Sequence, residues 1–428
     1  MKNFFEKVAT VLRDPILRRR ILFTIGALII FQFLASIPIP GVDRGRLAAF
    51  FANNQFLGLL NIFSGGGLST LSIVMLGVSP FITASIIMNV LTMTSPKLKA
   101  LYSENGDAGR KKFSQYARIA SVPLAILSGF GFILLLEQQG VVPPLDLFSL
   151  ITNIMIITGG AVLLMWLGEL ITEFGIGNGV SLIIFAGIVS RLPSLINQTA
   201  FSFNQADIPM YAFFAAITLA AIYAVVYVTE AERPVAVTYA KRVRGNKVYG
   251  GVSTYIPLRL TQAGVIPIIF ALSILLFPQL ILKFLSTIRV DGVVGDIVAS
   301  VSQFLLDFLA NQLTYGIAYF FLVIFFTYFY TAVTFDPDSI SKNLQQGGAF
   351  IPGVRPGEAT SLHLSKILTR ILLVGALFLG IIAVLPLILQ GITGMASLAI
   401  GGTALLIVVS VVLDLIKKID AQISMREY

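Results

Sequence analysis

The chain has 428 residues, of which 56% are hydrophobic and only 12% are charged, and its mean hydropathy is +0.89. Because soluble domains carry about 25% charged residues, this composition excludes an ordinary soluble domain and indicates a polytopic membrane protein. The chain has no cysteine, which excludes disulfides, thiolate chemistry and cysteine metal sites. Its net charge of +9 must be located along the chain before it is taken as a sign of nucleic-acid binding.

Ten segments are apolar over a length suited to crossing a bilayer, for which a helix needs roughly 17–25 residues. They lie at 21–37, 71–94, 115–136, 148–170, 179–194, 210–228, 262–285, 314–335, 366–389 and 395–414. Arginines 18–20 precede the first segment, as in a signal peptide, but no small-residue cleavage site follows before Pro38. We therefore expect the first segment to be retained.

Basic residues are distributed unevenly between the connecting loops. Of the 30 Lys and Arg residues, 25 lie in the N-terminal segment, in the loops after the second, sixth and eighth segments, and in the tail. The positive-inside rule makes this face cytoplasmic, so both termini are predicted to be cytoplasmic. The predicted divisions are a cytoplasmic N-terminal segment, an N-terminal half, a C-terminal half and a cytoplasmic tail, at 1–20, 21–200, 201–414 and 415–428.

An internal repeat links the two halves. GVSPFI at 77–82 matches GVIPII at 264–269 in four positions, each with an offset of 187 residues. A weaker match pairs the fifth segment with the tenth, because a glycine precedes an isoleucine by five residues in both. Two related halves of five segments each have inverted topology, which predicts a path between them near the membrane midplane.

The second segment contains a proline in its apolar run. Pro80 is expected to interrupt the helical ladder there, and the small residues beside it allow close approach of other helices. Ile82 and Ile86 are four residues apart and therefore share one helix face.

Ionisable residues are almost absent from the interiors of the segments, since Glu169 and Asp414 lie near segment ends. There is no phosphate-binding loop and no catalytic constellation, so we predict neither an enzyme nor a cofactor or metal site. An isoleucine-lined path cannot coordinate an ion, but it can exclude water and so block ions. A passive conduit is favoured, and a secondary transporter or a purely structural scaffold is the alternative.

Several motifs then identify a resemblance that covers about residues 10–425. They are IPIPGV (37–42), IFSGGGLSTLSIVMLGVSPFITASII (62–87), GELITEFGIGNGVSLIIFAGIV (168–189), YAKRVRGNKVYGG (239–251), AGVIPIIFALSILLFP (263–278), GAFIPGVRPGEAT (348–360) and GGTALLIVV (401–409). With these motifs in this order, the chain resembles the SecY family, which forms the pore of the bacterial general protein-translocation channel.

The resemblance implies an all-α membrane protein with ten transmembrane helices in two inverted halves, arranged as a clamshell. It implies an hourglass pore that passes unfolded preproteins, with a lateral gate between the second and third and the seventh and eighth helices. The pore waist is a ring of aliphatic side chains, and the matching residues are Ile82, Ile86, Ile184, Ile188, Ile269 and Ile407. Ordinary packing is the alternative for any one of them.

Residues 57–70 resemble the family's plug, a short re-entrant helix under the ring of the closed channel. The residues that carry this prediction are Leu59, Leu60, Ile62, Phe63, Gly65, Gly66 and Gly67. The glycines give the backbone freedom for a hinge or a tight turn. A loop that merely ties the first two helices together is the alternative.

Two loops, at 230–259 and 336–365, are similar to the family's docking loops for the SecA motor ATPase and the ribosome. Their basic residues are Lys241, Arg242, Arg244, Lys247 and Arg355. Basic side chains on a projecting loop suit phosphates, and flanking prolines and glycines hold Arg355 in a fixed turn. A topology signal is the alternative reading of this charge.

The resemblance also implies partners and a location. The expected partners are SecE and SecG-type small membrane subunits, SecA, the ribosome through its RNA, signal peptides with their preprotein or nascent chains, and phospholipid. The expected location is the bacterial plasma membrane.

Overall fold

The computed structural model describes part of the chain: residues 14–40, 67–68, 70–103, 106–138, 140, 142–190, 193, 197, 208–240, 242–244, 247–249, 251, 253–262, 264, 266–275, 300, 311–393 and 401–424. Helices dominate these residues. The helices of the N-terminal half are α1 (Pro15–Ser36), α2 (Ser79–Thr94), α3 (Pro96–Ser103), α4 (Gly106–Gln138), α5 (Leu147–Phe174) and α6 (Gly179–Val189). Those of the C-terminal half are α7 (Ile208–Glu230), α8 (Ile266–Leu275), α9 (Gln312–Thr334), α10 (Pro337–Gln346), α11 (Glu358–Thr393) and α12 (Gly401–Ser424).

Each of the ten predicted segments overlaps one of these helices, and α3 and α10 are the two that match none. Six helices of the described part are long and apolar enough to cross a membrane: α1, α4, α5, α7, α9 and α11. Three more, α2, α6 and α8, are apolar but shorter. The multi-span architecture is therefore confirmed, and ten as the number of membrane crossings stays a prediction.

Local sequence signals set where the helices begin. Asp14 caps α1, because its side chain accepts a hydrogen bond from the backbone N–H of Ile16 at 2.9 Å, and Pro15 occupies the first helical position. Asn311 caps α9 in the same way through the N–H of Leu313 at 3.0 Å. Both helices begin directly after the capping residue, a few residues before the predicted apolar segments.

The contacts between helices repeat from one half to the other. In the N-terminal half, α1 contacts α5 and α6, α4 contacts α5, and α5 contacts α6. In the C-terminal half, α7 contacts α11 and α12, α9 contacts α11, and α11 contacts α12. The two sets of contacts correspond when each predicted segment of the N-terminal half is paired with the segment five places later in the chain. The halves meet where α6 contacts α12, the fifth segment of each half.

Outside the helices, five strands lie in the two loops predicted to be docking loops. Strand β1 (Glu232–Tyr239) pairs antiparallel with β4 (Ser253–Arg259), and its end pairs with β5 (Ala349–Phe350). At the tip, β2 (Arg242–Arg244) pairs with β3 (Lys247–Tyr249). The sequence did not predict these strands. Because β5 belongs to the second loop, the two loops are joined in one sheet.

The sheet packs on α11 through one face. Val235 and Val237 alternate with exposed neighbours on β1, as expected for a strand with one buried side. They form an apolar cluster with Leu364 and Ile371 of α11. This cluster holds the loops against the body of the chain.

Candidate functional site

All six isoleucines predicted to form the ring are buried, with at most 7% of each residue exposed. They belong to a single apolar cluster, although they come from four helices in both halves of the chain. Their helices are α2 for Ile82 and Ile86, α6 for Ile184 and Ile188, α8 for Ile269, and α12 for Ile407. The structure therefore brings the predicted ring residues together in one apolar core between the halves.

The turn before α2 determines where the first two isoleucines lie. Residues 70–78 form turns except for the β-bridge at Ser72, and Gly77 has a positive φ of 60°. Helix α2 then begins with Pro80 in its first turn. The expectation that Pro80 interrupts a helical ladder is wrong, because the proline stands at a helix start. Its missing N–H has no intrahelical partner to lose at that position. Ile82 thus lies in the first turn of α2, and Ile86 lies one turn later.

The start of α8 has the same geometry, offset by 187 residues. Gly264 has a φ of 57°, and α8 begins two residues later with Pro267 as its second residue. Ile269 consequently takes the place in α8 that Ile82 takes in α2. The repeat that the sequence predicts is confirmed in the backbone at this site.

Helix α6 is held very close to α5, and this fixes the next two isoleucines. The backbone N–H of Gly179 donates to the hydroxyl of Thr172 at 2.8 Å. A Cβ on Gly179 would overlap the carbonyl oxygen of Gly168 in α5, so only glycine fits there. Ile184 and Ile188 follow on one face of α6 and are both buried in the central cluster.

On α12, Ile407 lies between two other members of the cluster. Ala404 and Val411 are buried about one turn before and one turn after it. Since α12 contacts α6, Ile407 lies on the boundary between the two halves.

No charged residue of the described part is among the buried ones. Arg118 pairs with Glu169 between α4 and α5, and Lys417 pairs with Glu230 at 2.7 Å between α12 and the end of α7. All four of these residues are partly exposed. Within the described ranges, no three acidic or histidine side chains lie together as metal ligands would. Packed aliphatic side chains such as the six isoleucines exclude water and ions.

Most of the predicted plug lies outside the described residues, namely Leu59, Leu60, Ile62, Phe63, Gly65 and Gly66. Gly67 is described and buried. A Cβ on it would lie 2.7 Å from the hydroxyl oxygen of Ser72 and 3.1 Å from the carbonyl oxygen of Val74. Gly67 therefore packs closely on the turn before α2, and the plug role of the segment stays a prediction.

The described docking residues lie on the β2–β3 pair and on the turn after β5. Arg242 and Arg244 belong to β2 and Lys247 to β3, whereas Lys241 falls outside the described residues. Arg355 is exposed, and its carbonyl oxygen accepts a hydrogen bond from the hydroxyl of Thr360 at 2.9 Å. This bond fixes the backbone of the turn and leaves the guanidinium free to project.

Two tyrosines of α9 belong to the central cluster and were not predicted from the sequence. Tyr315 and Tyr319 are 7% and 1% exposed, and neither hydroxyl has a hydrogen-bond partner in the described part of the chain. Their spacing of four residues in an apolar segment was the available signal. Tyrosines in membrane helices are common enough near the interface that this spacing alone does not stand out.

Comparison with known proteins agrees with this architecture. The family model described as SecY matches residues 72–416. A protein translocase subunit SecY of Mycobacterium tuberculosis is 42% identical over 97% of both chains, and one of Streptomyces coelicolor is 38% identical over 98% of both.

Solved structures show the same fold at lower identity. The structure described as a protein-conducting channel has a TM-score of 0.64 and 18% identity, and the match covers 96% of this chain and 94% of the other. Canine Sec61 in a ribosome-channel complex has a TM-score of 0.62 and 17% identity, covering 96% and 94%. With a family model matching most of its length and relatives at about two-fifths identity end to end, the chain belongs to the SecY family.

Proposed function

We propose that this chain is the pore-forming subunit of a protein translocase, and that unfolded polypeptides pass between its two halves. The observation that carries the proposal is the central apolar cluster, in which isoleucines from α2, α6, α8 and α12 are buried together. The relatives at 42% identity are themselves translocase subunits.

The proposed seal is a ring formed by these isoleucines. A narrow apolar constriction excludes water and so blocks ions, while it is indifferent to the side chains that pass through it. Segment 57–70 is proposed to plug the closed pore from one side. Signal sequences are proposed to enter, and transmembrane segments to leave sideways, at a lateral gate between α2 and α4 on one side and α8 and α9 on the other.

The energy for transport is proposed to come from partners. The β2–β3 pair, which carries Arg242, Arg244 and Lys247, is proposed to dock a SecA-type motor or the ribosome, together with the turn at Arg355. Two findings support this: these loops form one joined surface, and a solved structural neighbour is part of a ribosome-channel complex. SecE and SecG-type subunits and phospholipid are proposed as membrane partners.

The basic residues support an orientation for the chain. The sheet and both termini are proposed to lie on the cytoplasmic side of a bacterial plasma membrane, because 25 of the 30 Lys and Arg residues fall on that side. Protease accessibility of the tail in sealed vesicles tests this orientation directly.

Reconstitution tests the function itself. Vesicles that contain this chain with SecE should import a preprotein when SecA and ATP are added, and vesicles without the chain should not. Import that is equal in both would overturn the proposal. A saturable flux of a small solute driven by an ion gradient would favour a secondary transporter instead.

Ion leakage tests the seal, and the chain offers a matched control. Ile86→Thr places a hydroxyl in the buried core, whereas Ile87→Thr places it on the next residue, which is 40% exposed. We expect Ile86→Thr and Ile407→Thr to increase leakage severalfold, because a polar group helps water to enter the constriction. Ile87→Thr should leave leakage unchanged. Equal leakage for all three variants would favour a structural scaffold.

A further inference from the structure

Two buried hydroxyl groups on α9 have no partner in the apolar core. Tyr315 and Tyr319 are one helical turn apart, and their ring centroids are separated by 6.2 Å. Both residues belong to the cluster that contains the six isoleucines. In the part of the chain that the structure describes, neither hydroxyl donates or accepts a hydrogen bond.

The two tyrosines lie next to the residues of α9 that pack on α11. Gly316 and Phe320 face α11, where a Cβ on Gly316 would lie 3.5 Å from Val384 and one on Gly380 would lie 2.8 Å from the ring of Phe320. Each tyrosine precedes one of these residues, which places it about 100° around the helix. Gln312, seven residues before Tyr319 and so on the same side of α9, donates a side-chain hydrogen bond to the carbonyl oxygen of Leu387 in α11 at 2.8 Å. The tyrosines therefore border the contact between α9 and α11.

Helix α9 also meets α8. Phe326 follows Tyr319 by seven residues, or about two turns, and its ring contacts the ring of Phe270 on α8 edge to face at 5.9 Å. Tyr330 makes a second edge-to-face contact with Phe270 at 5.7 Å. Helices α8 and α9 thus pack together about two turns beyond Tyr319, and Phe270, Phe326 and both tyrosines belong to the same apolar cluster. These two helices form the C-terminal side of the proposed lateral gate.

A buried phenol without a partner is unfavourable, because its hydroxyl has lost its hydrogen bonds to water and gained none. Buried tyrosines usually find a partner for this reason. Phenylalanine would fill the same space without that loss. The two hydroxyls therefore raise the free energy of this buried arrangement.

We propose that Tyr315 and Tyr319 set the threshold for opening the channel. Their hydroxyls are unpaired while the core is closed, and they gain hydrogen bonds from water that enters when α8 and α9 move away from the N-terminal half. The closed state is destabilised relative to the open state, so a weaker signal sequence suffices to open it. This inference rests on the proposed function and adds two residues that determine its selectivity.

The test removes only the hydroxyls. Tyr315→Phe, Tyr319→Phe and the double variant should open less often in planar bilayers, on the order of tenfold for each hydroxyl removed. Import of a preprotein with a weakened signal sequence should fall by a similar factor, and import with an intact signal sequence should change little. The melting temperature of the purified protein should rise. Tyr223→Phe is the matched control, because Tyr223 is 72% exposed on α7.

The opposite results would overturn the inference. A lower melting temperature in the phenylalanine variants would mean that the hydroxyls are bonded in the closed state. Unchanged opening frequency, or equal loss of import for weak and intact signal sequences, would mean that they do not set the threshold. Failure of the unaltered chain to import any preprotein would instead overturn the proposed function. The melting temperatures of the phenylalanine variants would still show whether the two hydroxyls destabilise the folded protein.

Discussion

The turns that precede α2 and α8 can be compared atom by atom, because they lie 187 residues apart in the repeat. Before α2, the N–H of Gly77 donates to the carbonyl of Val74 at 2.8 Å. Before α8, the N–H of Gly264 donates to the carbonyl of Thr261 at 3.1 Å. The hydrogen bond and the positive φ of the glycine are retained, although valine has been replaced by threonine. The repeat thus preserves backbone geometry more strictly than side chains.

The same agreement extends to the helix that precedes each turn. The N–H of Ile73 donates to the carbonyl of Ile37 just after α1, and the N–H of Leu260 donates to the carbonyl of Ala231 just after α7. One residue further out, Pro38 and Ser72 form an isolated β-bridge. The equivalent bridge in the C-terminal half joins β1 to β4.

The difference begins at this bridge. In the N-terminal half it stands alone, and the chain between its strands contains the segment predicted to be the plug. In the C-terminal half the bridge is the first of seven pairs in the β1–β4 ladder, whose tip carries the predicted docking residues. One position of the repeat therefore holds two different insertions, the segment predicted to be the plug in one half and the predicted docking loop in the other.

The largest expected effect tests the part that the two halves share. A Cβ on Gly160 of α5 would overlap the carbonyl oxygen of Ile73, and a Cβ on Gly375 of α11 would overlap that of Leu260. Because backbone atoms cannot move aside, Gly160→Ala and Gly375→Ala should each lower the free energy of unfolding by about 3 kcal/mol. Thermal unfolding in detergent measures this loss.

Gly159→Ala is the control for this pair, because nothing lies within 4 Å of a Cβ at that position. It should be neutral or slightly stabilising, since alanine favours a helix over glycine. If Gly160→Ala is costly and Gly375→Ala is not, the two halves do not use the same close contact and the comparison fails at this point.

A smaller loss of stability is expected when alanine replaces Gly77 or Gly264, the glycines with positive φ in the two turns. No atom lies within 4 Å of a Cβ on Gly264, so Gly264→Ala tests the backbone conformation alone. Alanine in the left-handed region costs roughly 1 kcal/mol, and Gly77→Ala should cost at least as much because its φ is nearly the same. Asn in place of Gly264 should recover part of the loss, since asparagine tolerates this region. Equal stability for Gly264→Ala and the unaltered chain would show that the turn relaxes.

The sequence predicted much of this architecture, because apolar length locates helices. It also paired Ile82 with Ile269, which the structure places at equivalent points of α2 and α8. It missed the turns within residues 70–78, since apolar residues in a buried turn give the same hydropathy as a helix. It also missed the β1–β4 strands, although Val235 and Val237 alternate with exposed residues. The close contacts of Gly160 and Gly375 depend on atoms far apart in the chain, which no local pattern contains.

The smallest expected effect concerns the bridge itself, where the two halves place unlike residues. Ser72 is fully buried and its hydroxyl has no hydrogen-bond partner among the described residues, whereas the equivalent Arg259 is exposed at the end of β4. Ser72→Ala should therefore stabilise the protein by about 0.5 kcal/mol, because it removes a buried hydroxyl that gains nothing. Arg259→Ala should change stability by less than about 0.5 kcal/mol, as is usual for an exposed side chain. A clear loss of stability in Ser72→Ala would mean that the Ser72 hydroxyl makes a hydrogen bond. The bridge in the N-terminal half would then be stabilised by a polar side-chain contact.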